Sequence, residues 1–359
     1  MPTPVPPMQH LRKWLALAVL YGLGIATGWL FSLLGAPLPW MIGPLLLSAG
    51  LYLGGVLTVQ VPLRTRPFGQ MVIAAQVGLA FTPAALAALL AYAPLLVGAA
   101  FLTAAVACGV AYLTSRMGGM PPAQAFLATF PTSPVEAAVI AGKFGWDPAP
   151  IVLTQTLRIA AVVILVPLFV YAVDGWPAPG DLVRGGTFDP VGNGFLALLA
   201  IAGALVFRRL GLSNPWFLGP LAFSATAAAA GLQPAPFPPE MLSAAQIVLG
   251  TWLGSCFRRE ILLGGRRLML TLTASTLLLL LVISTLALGL AALTDLRWEV
   301  LVLGMAPGGV TEMALTAKFL GVDLAMVTAL QLTRIFIFMP NIPWIIGMID
   351  RHDKRPHGT

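Results

Sequence analysis

Long runs of apolar residues, broken only by short polar stretches, fill almost the whole chain. The runs Trp14–Leu34, Pro67–Ser115 and Leu268–Thr294 contain no charged residue. A helix crosses the apolar core of a bilayer with about 20 residues, so each run is long enough to span it. Their number predicts an all-α polytopic membrane protein.

The sparse polar, glycine and proline positions within these runs repeat at a constant offset of 176 residues, as from Gly35 to Gly211. Such a recurrence is the sign of an internal duplication. The matched pairs are Pro39 and Pro215, Trp40 and Trp216, Gly43 and Gly219, Gln70 and Gln246, Gly78 and Gly254, Pro131 and Pro307, Glu136 and Glu312, Gln155 and Gln331, and Arg158 and Arg334.

The duplication divides the chain into a cytoplasmic tail at 1–12, a first repeat at 13–173, a periplasmic linker at 174–189, a second repeat at 190–349 and a cytoplasmic tail at 350–359. Each repeat is predicted to contain five transmembrane helices and one short broken segment. The predicted spans lie near 13–34, 38–59, 67–81, 92–115 and 148–173, and near 190–207, 215–233, 240–257, 268–293 and 324–349.

The basic residues decide the orientation of the two repeats. They flank alternate spans and are shifted by one crossing between the copies: Arg12, Lys13, Arg64, Arg66 and Arg116 in the first, and Arg208, Arg209, Arg258, Arg259, Arg266, Arg267, Arg351, Lys354 and Arg355 in the second. Five crossings per copy place all of them on one face, which the positive-inside rule makes cytoplasmic. We therefore predict inverted repeats, about ten transmembrane helices (ten to twelve are allowed) and two cytoplasmic termini.

An odd number of crossings requires the broken segment to enter and leave on one side. The segment lies near 120–144 in the first copy and near 298–320 in the second. It is interrupted by Pro131-Thr132-Ser133-Pro134 in the first and by Pro307-Gly308-Gly309 in the second. Each arm of eight to ten residues reaches about half of the bilayer. A re-entrant hairpin fits this pattern, and a broken helix that crosses the membrane is the alternative.

Paired broken helices in inverted repeats are typical of secondary transporters, whose solutes bind near the midplane at half-helix ends. The candidate solute- and ion-binding residues are therefore those of the two breaks and the polar residues of the last span of each repeat. They are Pro131, Thr132, Ser133, Glu136, Gln155 and Arg158 in the first repeat, and Pro307, Gly308, Gly309, Thr311, Glu312, Gln331 and Arg334 in the second.

Two interpretations of these residues stay open. Ser133 and Glu136 form a capping box, so the glutamates could serve only to complete helix ends. Glu136 with Arg158, and Glu312 with Arg334, could then be neutral buried pairs that brace the segments. Alternatively, an arginine fork binds an anion while the glutamate accepts a proton or coordinates a cation, since ionisable groups at membrane depth usually have a function.

Composition argues against several classes of function. The net charge of +7 agrees with basic cytoplasmic loops, and no soluble basic domain exists to bind nucleic acid. The histidines (His10, His352 and His357) all lie near the ends of the chain, so the sequence offers no cluster for copper or zinc. We expect neither an enzyme nor a cofactor.

Two stretches are similar to a known family. They are the run from Gly35 to Leu45 (Gly-Ala-Pro-Leu-Pro-Trp-Met-Ile-Gly-Pro-Leu) and the run that begins Met305-Ala-Pro-Gly-Gly-Val-Thr-Glu-Met-Ala and continues to Leu330-Gln-Leu-Thr-Arg. They resemble the AbrB-type bacterial inner-membrane family with the "AbrB duplication" domain, also labelled ammonia monooxygenase. The resemblance covers about 20–345. It implies a multi-pass protein of the bacterial inner membrane.

Function is expected to follow from this architecture. The leading hypothesis is a secondary transporter that moves a small anionic or carbonyl-bearing solute by alternating access at the repeat interface. Its partners would be the lipid bilayer, the solute and a coupling proton or sodium ion, and an oligomer is allowed. A membrane-embedded sensor or regulator of gene expression is the alternative that the family description implies, and a membrane monooxygenase is the least favoured.

Overall fold

The computed structural model describes residues 7–175, 188–212, 214–232, 234–257 and 266–353. Within these ranges every regular element is helical and no strand occurs. In chain order the α-helices are α1 (Pro7–Leu33), α2 (Pro39–Leu53), α3 (Arg66–Gly78), α4 (Pro83–Ala91), α5 (Ala93–Gly118), α6 (Pro122–Thr129), α7 (Pro134–Lys143), α8 (Ala149–Asp174), α9 (Pro190–Arg209), α10 (Pro215–Ala229), α11 (Pro239–Ser255), α12 (Arg266–Ala291), α13 (Trp298–Met305), α14 (Val310–Leu320), α15 (Leu324–Phe338) and α16 (Ile342–Asp353). The all-α fold agrees with the prediction.

The duplication is visible in the backbone as well as in the sequence. The loops before α2 and α10 both contain a left-handed glycine, Gly35 at φ 67° and Gly211 at φ 68°. Three residues later Leu38 and Asn214 adopt positive φ values of 43° and 48°, which non-glycine residues rarely do. Each loop is followed by a proline in the first helical turn and by a helix of 15 residues.

The pair α3 and α4, bent by 85°, is one candidate membrane span if it counts as a single segment. Six further helical segments of the described residues are long and apolar enough to cross a membrane by themselves. They are Arg12–Leu33, Ala93–Gly118, Ala149–Asp174, Pro190–Arg209, Met269–Ala291 and Leu324–Arg351. The protein is therefore a multi-pass membrane protein. The other four predicted spans correspond to α2, α3, α10 and α11, whose 13 to 17 residues extend only about 20–26 Å. The count of ten crossings stays a prediction.

The helices form two compact units, each with contributions from both repeats. The first unit contains α1–α3 and α9–α11, and its helices approach each other through glycines. Gly250 and Gly254 of α11 lie against the backbone of α2 at Met41 and Leu45, so that a Cβ at either glycine has no room. Gly78 makes the equivalent approach to α10 at Ser224. These glycines therefore serve close helix packing.

The second unit contains α4–α8 and α12–α16, and it holds both broken segments. Helix α6 ends at Thr129 and α7 begins at Pro134, while α13 ends at Met305 and α14 begins at Val310. The predicted breaks are thus confirmed. A re-entrant hairpin and a broken helix that crosses the membrane would both contain such a break, so the two predicted alternatives both agree with it.

In each unit, one pair of corresponding helices from the two repeats runs antiparallel. In the second unit, α5 contacts α12 through Thr114 and Ser275 (2.6 Å), and one turn later Gly118 contacts Thr271, which precedes Ser275. In the first unit, Gly69 of α3 lies against Ala245 and Leu249 of α11. Later in α3, Gln76 accepts a hydrogen bond from the amide of Phe237, which precedes α11 (2.9 Å).

Some predictions lie outside the described residues. The structure describes only 174–175 and 188–189 of the predicted linker, and it leaves out 1–6 and 354–359 of the two tails. Arg258 and Arg259 of the second repeat are also outside it.

Candidate functional site

All thirteen predicted site residues lie in the second unit, at the two breaks or on the helices packed against them. We call residues 130–133 the first break and residues 306–309 the second break. Helix α8 brings Gln155 and Arg158 to the first break, and α15 brings Gln331 and Arg334 to the second.

Prolines and small polar residues interrupt the helices at the first break. Pro131 has no amide hydrogen to continue the ladder of α6, and Pro134 occupies the first turn of α7. Ser133 has extended backbone angles, and its Oγ accepts a hydrogen bond from the amide of Glu136 at 3.2 Å. The serine half of the predicted capping box is confirmed. At the second break the corresponding position is Gly309, which has no side chain to cap α14.

A buried glutamine completes the end of each first arm. Gln155 Nε2 donates to the carbonyls of Leu127 (2.7 Å) and Phe130 (2.9 Å), and its side chain is fully buried. In the second repeat, Gln331 Nε2 donates in the same way to Leu303 (2.8 Å) and Ala306 (3.0 Å). The last carbonyls of a helix lack partners within the helix, so these amides satisfy groups that would otherwise be buried without hydrogen bonds.

Arg158 connects the two breaks. Its Nη1 donates to the carbonyls of Thr129 (3.2 Å) and Phe130 (3.3 Å), and its Nη2 to that of Thr132 (3.1 Å). Its Nε donates to the carbonyl of Pro307 in the second break at 2.6 Å. The side chain is 1% exposed. One buried guanidinium therefore stabilises four carbonyl oxygens, whose partial negative charge compensates its own.

Arg334 has a different set of contacts. Its Nη1 donates to the carbonyl of Ala306 (3.1 Å), and its Nη2 donates to the carbonyl of Gly308 (3.3 Å) and to Gln331 Oε1 (2.6 Å). Its Nε is buried and has no hydrogen-bond partner among the described residues. The oxygen Gln155 Oε1, whose counterpart Gln331 Oε1 accepts from Arg334, is also buried without a described partner. The two repeats thus form an asymmetric site.

The sequence left open that carboxylates pair with these arginines. The hydrogen bonds described for the guanidinium groups run to backbone carbonyls and, from Arg334, also to Gln331 Oε1. The physical reason is the end of each first arm, which presents several carbonyls close together at the negative end of the helix dipole. These carbonyl groups, at Thr129, Phe130 and Ala306, are parts of the candidate site that were not predicted from the sequence. The rule that helix C-termini need donors could have identified them.

The two glutamates stand at equivalent positions in the first turns of α7 and α14, and both are half-buried. Thr132 Oγ1 lies 3.5 Å from Glu136 Oε2. The Glu312 carboxylate lies in the space that a side chain at Gly309 would occupy. Thr311 is buried beside it, with 5% of its surface exposed. The site therefore combines buried guanidinium groups with carboxylates that remain partly accessible.

Lys318, near the end of α14, is half-buried, and its Nζ is buried. Its Nζ has no hydrogen-bond partner among the residues described. No group of three His, Cys, Asp or Glu side chains in the described part of the chain could hold a metal ion.

Comparisons with known proteins agree on one family. The family model described as "Transition state regulatory protein AbrB" matches residues 1–174 and again residues 175–350. The chain is 24% identical over 345 residues to "Putative regulator AbrB" of Escherichia coli (strain K12), a match that covers 95% of this chain and 97% of that protein. It is 26% identical over 235 residues to "Uncharacterized protein YhjN" of Bacillus subtilis (strain 168), and the match covers 61% of each chain.

Proposed function

The chain belongs to the AbrB family, and from this premise we propose that it is a secondary transporter for a small anionic or carbonyl-bearing solute. The solute would bind at the two breaks, and alternating access at the repeat interface would carry it across the membrane. The observation that carries the proposal is the buried contact between Arg158 and Pro307, by which one repeat holds the break of the other.

Interrupted backbone inside a membrane is tolerated where it is surrounded by protein or lines a cavity. Here the breaks are surrounded by protein groups, since Gln155, Arg158, Gln331 and Arg334 satisfy their carbonyls. Retaining two charged groups at such depth costs free energy, which favours a functional role over a purely structural one.

The proposal includes inverted repeats in the bacterial inner membrane, with both termini in the cytoplasm. The antiparallel courses of α3 and α11, and of α5 and α12, support it. Repeats related by an axis along the membrane normal would place corresponding neighbouring helices parallel, whereas an axis in the membrane plane makes them antiparallel.

The expected chemistry of the solute follows from the helix termini at the breaks. The first amides of α7 and α14 have no partners within their helices, and the helix dipole makes these ends positive. An anionic or carbonyl oxygen would be stabilised there, in the way that anions bind at helix N-termini. Glu136 and Glu312, in the same turns, would carry the coupling proton or sodium ion.

Flux measurements in proteoliposomes test the proposal. Radiolabelled mono- and dicarboxylates are offered to vesicles that contain the purified protein, under an imposed proton or sodium gradient. Gradient-driven uptake of at least one solute is expected, and both Glu312→Gln and Arg334→Ala should lose it while remaining folded by circular dichroism. Normal uptake in both variants would show that the site is elsewhere.

A membrane-embedded sensor is the second candidate, because the Escherichia relative carries the name of a regulator. A sensor would bind its ligand at the same breaks and signal to a partner without net flux. Ligand-induced thermal stabilisation together with no flux in vesicles, and a stoichiometric crosslinked partner, would favour this candidate over the transporter.

A further inference from the structure

The two breaks differ at the residue that precedes the second arm. Ser133 caps α7 through its hydroxyl, which accepts from the amide of Glu136. Gly309 precedes α14, a helix of 11 residues, and provides no side-chain acceptor. The positive N-terminus of α14 therefore has room for an anionic group that the N-terminus of α7 lacks.

The carboxylate of Glu312 already occupies this room. A Cβ built on Gly309 would come within 2.9 Å of Glu312 Cδ and closer still to Oε2. Glu312 therefore folds back along α14 so that its charge lies beside the first turn of its own helix. A carboxylate in this position interacts favourably with the helix dipole.

A second, independent donor points to an anion at the same break. The guanidinium of Arg334 is inserted between the carbonyls of Ala306 and Gly308, and the side chain is 4% exposed. Among the described residues its Nε has no acceptor, although the equivalent Nε of Arg158 donates to Pro307. A buried charged donor without an acceptor is unfavourable, so an acceptor oxygen of a bound ligand would stabilise this nitrogen.

We infer that the N-terminus of α14 and Arg334 Nε form the anion site of the protein, and that the Glu312 carboxylate is its tethered occupant. Protonation of Glu312 removes the charge that competes for the site, so the solute carboxylate replaces it. One proton and one anion then bind together, which would couple solute movement to the proton gradient. This inference rests on the proposed function and assigns its solute class to small carboxylates and its coupling ion to the proton.

The two repeats then have different duties. Arg158 uses all of its nitrogens on carbonyls, which makes it a positioning residue that holds the breaks together. Arg334 keeps a donor for the solute.

The charged groups on the helices packed against α14 are Arg158 and Asp174 on α8, Glu299 on α13, and Arg334 with the capping residue Asp323 on α15; Lys318 lies on α14 itself. Glu299 is engaged by Arg297, and Asp323 by the amide of Met326.

Binding and counterflow measurements with a small carbonyl-bearing carboxylate, pyruvate, test the inference. Binding to the purified protein is measured by calorimetry, and exchange of labelled pyruvate in vesicles is measured without a gradient, both between pH 5 and pH 8. The wild type should bind more weakly as the pH rises, by up to tenfold for each pH unit, because one proton is taken up with each anion. Glu312→Gln mimics the protonated acid, and should bind and exchange equally at both extremes while losing proton-driven accumulation.

Two variants complete the design. Glu240→Gln changes an exposed glutamate in the first turn of α11, and it should retain the pH dependence of the wild type. Arg334→Lys should bind pyruvate at least tenfold more weakly at every pH, because a lysine ammonium does not reproduce the position of Nε.

Two results would overturn the inference while leaving the transporter intact. One is a Glu312→Gln protein that transports with the pH dependence of the wild type, and the other is loss of that dependence in Glu136→Gln instead. Absence of binding and exchange of every carboxylate in the wild type at every pH would reject the inference and the transport function together.

Discussion

Replacing Arg158 by methionine tests the role that the structure gives this residue. Methionine replaces the aliphatic stem of arginine, ends short of the guanidinium and donates no hydrogen bonds. The substitution removes four hydrogen bonds, with lengths from 2.6 to 3.3 Å. Among the residues that the structure describes, Phe130 is the one of the four whose carbonyl keeps a second side-chain donor, from Gln155.

The size of the effect follows from the three carbonyls left without that donor, at Thr129, Thr132 and Pro307. A buried polar group that loses its partner costs about 1–3 kcal/mol, which gives a range of about 3–9 kcal/mol for three. Removing the buried charge offsets part of this loss, and hydrogen bonds of one network are not additive. We expect the free energy of unfolding to fall by about 3–5 kcal/mol, the range typical of a broken buried ionic network.

Equilibrium unfolding in mixed detergent micelles, followed by circular dichroism, measures this loss. Arg158→Lys keeps the charge but cannot reach both breaks from one ammonium, so it should lose about half as much. Arg116→Met, at an exposed site where the arginine contacts Tyr112, is the matched control and should change stability by less than about 1 kcal/mol. An Arg158→Met protein as stable as this control would refute the conclusion that Arg158 holds the two breaks together.

Further predictions concern packing, the glutamines and the termini. Gly203→Ala places a Cβ 2.6 Å from the carbonyl carbon of Gly219, so it should destabilise the protein by about 1–3 kcal/mol or prevent folding. Gly194→Ala is the control in the same helix: its Cβ meets no atom within 4 Å, and it should be neutral in the same unfolding assay. Gln331→Leu leaves the carbonyl of Leu303 without this donor, while that of Ala306 keeps Arg334, so it should cost about 1–3 kcal/mol. A loss below about 1 kcal/mol would contradict the capping role. A green fluorescent protein fused to either terminus should fluoresce in a bacterial host, because it matures only in the cytoplasm; a dark fusion of normal abundance would contradict the predicted topology.

Much of the fold follows directly from the sequence. The apolar runs and the constant offset of 176 residues predict a duplicated helical membrane protein, and the breaks at Pro131 and Pro307 are confirmed, because proline and glycine act on the local backbone. The shortness of α2 and α10 was not predicted. The two helices begin directly after left-handed residues, Leu38 and Asn214. Asparagine adopts this conformation more readily than most residues, but leucine rarely does, so the sequence contains no signal for it at Leu38.

The candidate site was predicted as a set of residues but not as a set of contacts. Rare polar side chains in apolar runs identified Gln155, Arg158, Gln331 and Arg334, and the structure brings them to the breaks. Apart from the bond between Arg334 and Gln331, their described partners are backbone carbonyls, which every residue possesses, so composition cannot indicate them. The difference between Arg158 and Arg334 arises from tertiary packing, since their local sequences are nearly the same.

Access to the first break from both sides of the membrane is the most direct test of the proposed transport. Ser133→Cys, in a protein whose Cys108 and Cys256 are replaced by alanine, places one thiol at the half-buried cap of α7. A membrane-impermeant thiol reagent is added to right-side-out or inside-out vesicles, and the labelling rates are compared. Alternating access predicts labelling from both faces and protection by the transported solute. Labelling from one face only, unchanged by any solute that the protein binds, would contradict it.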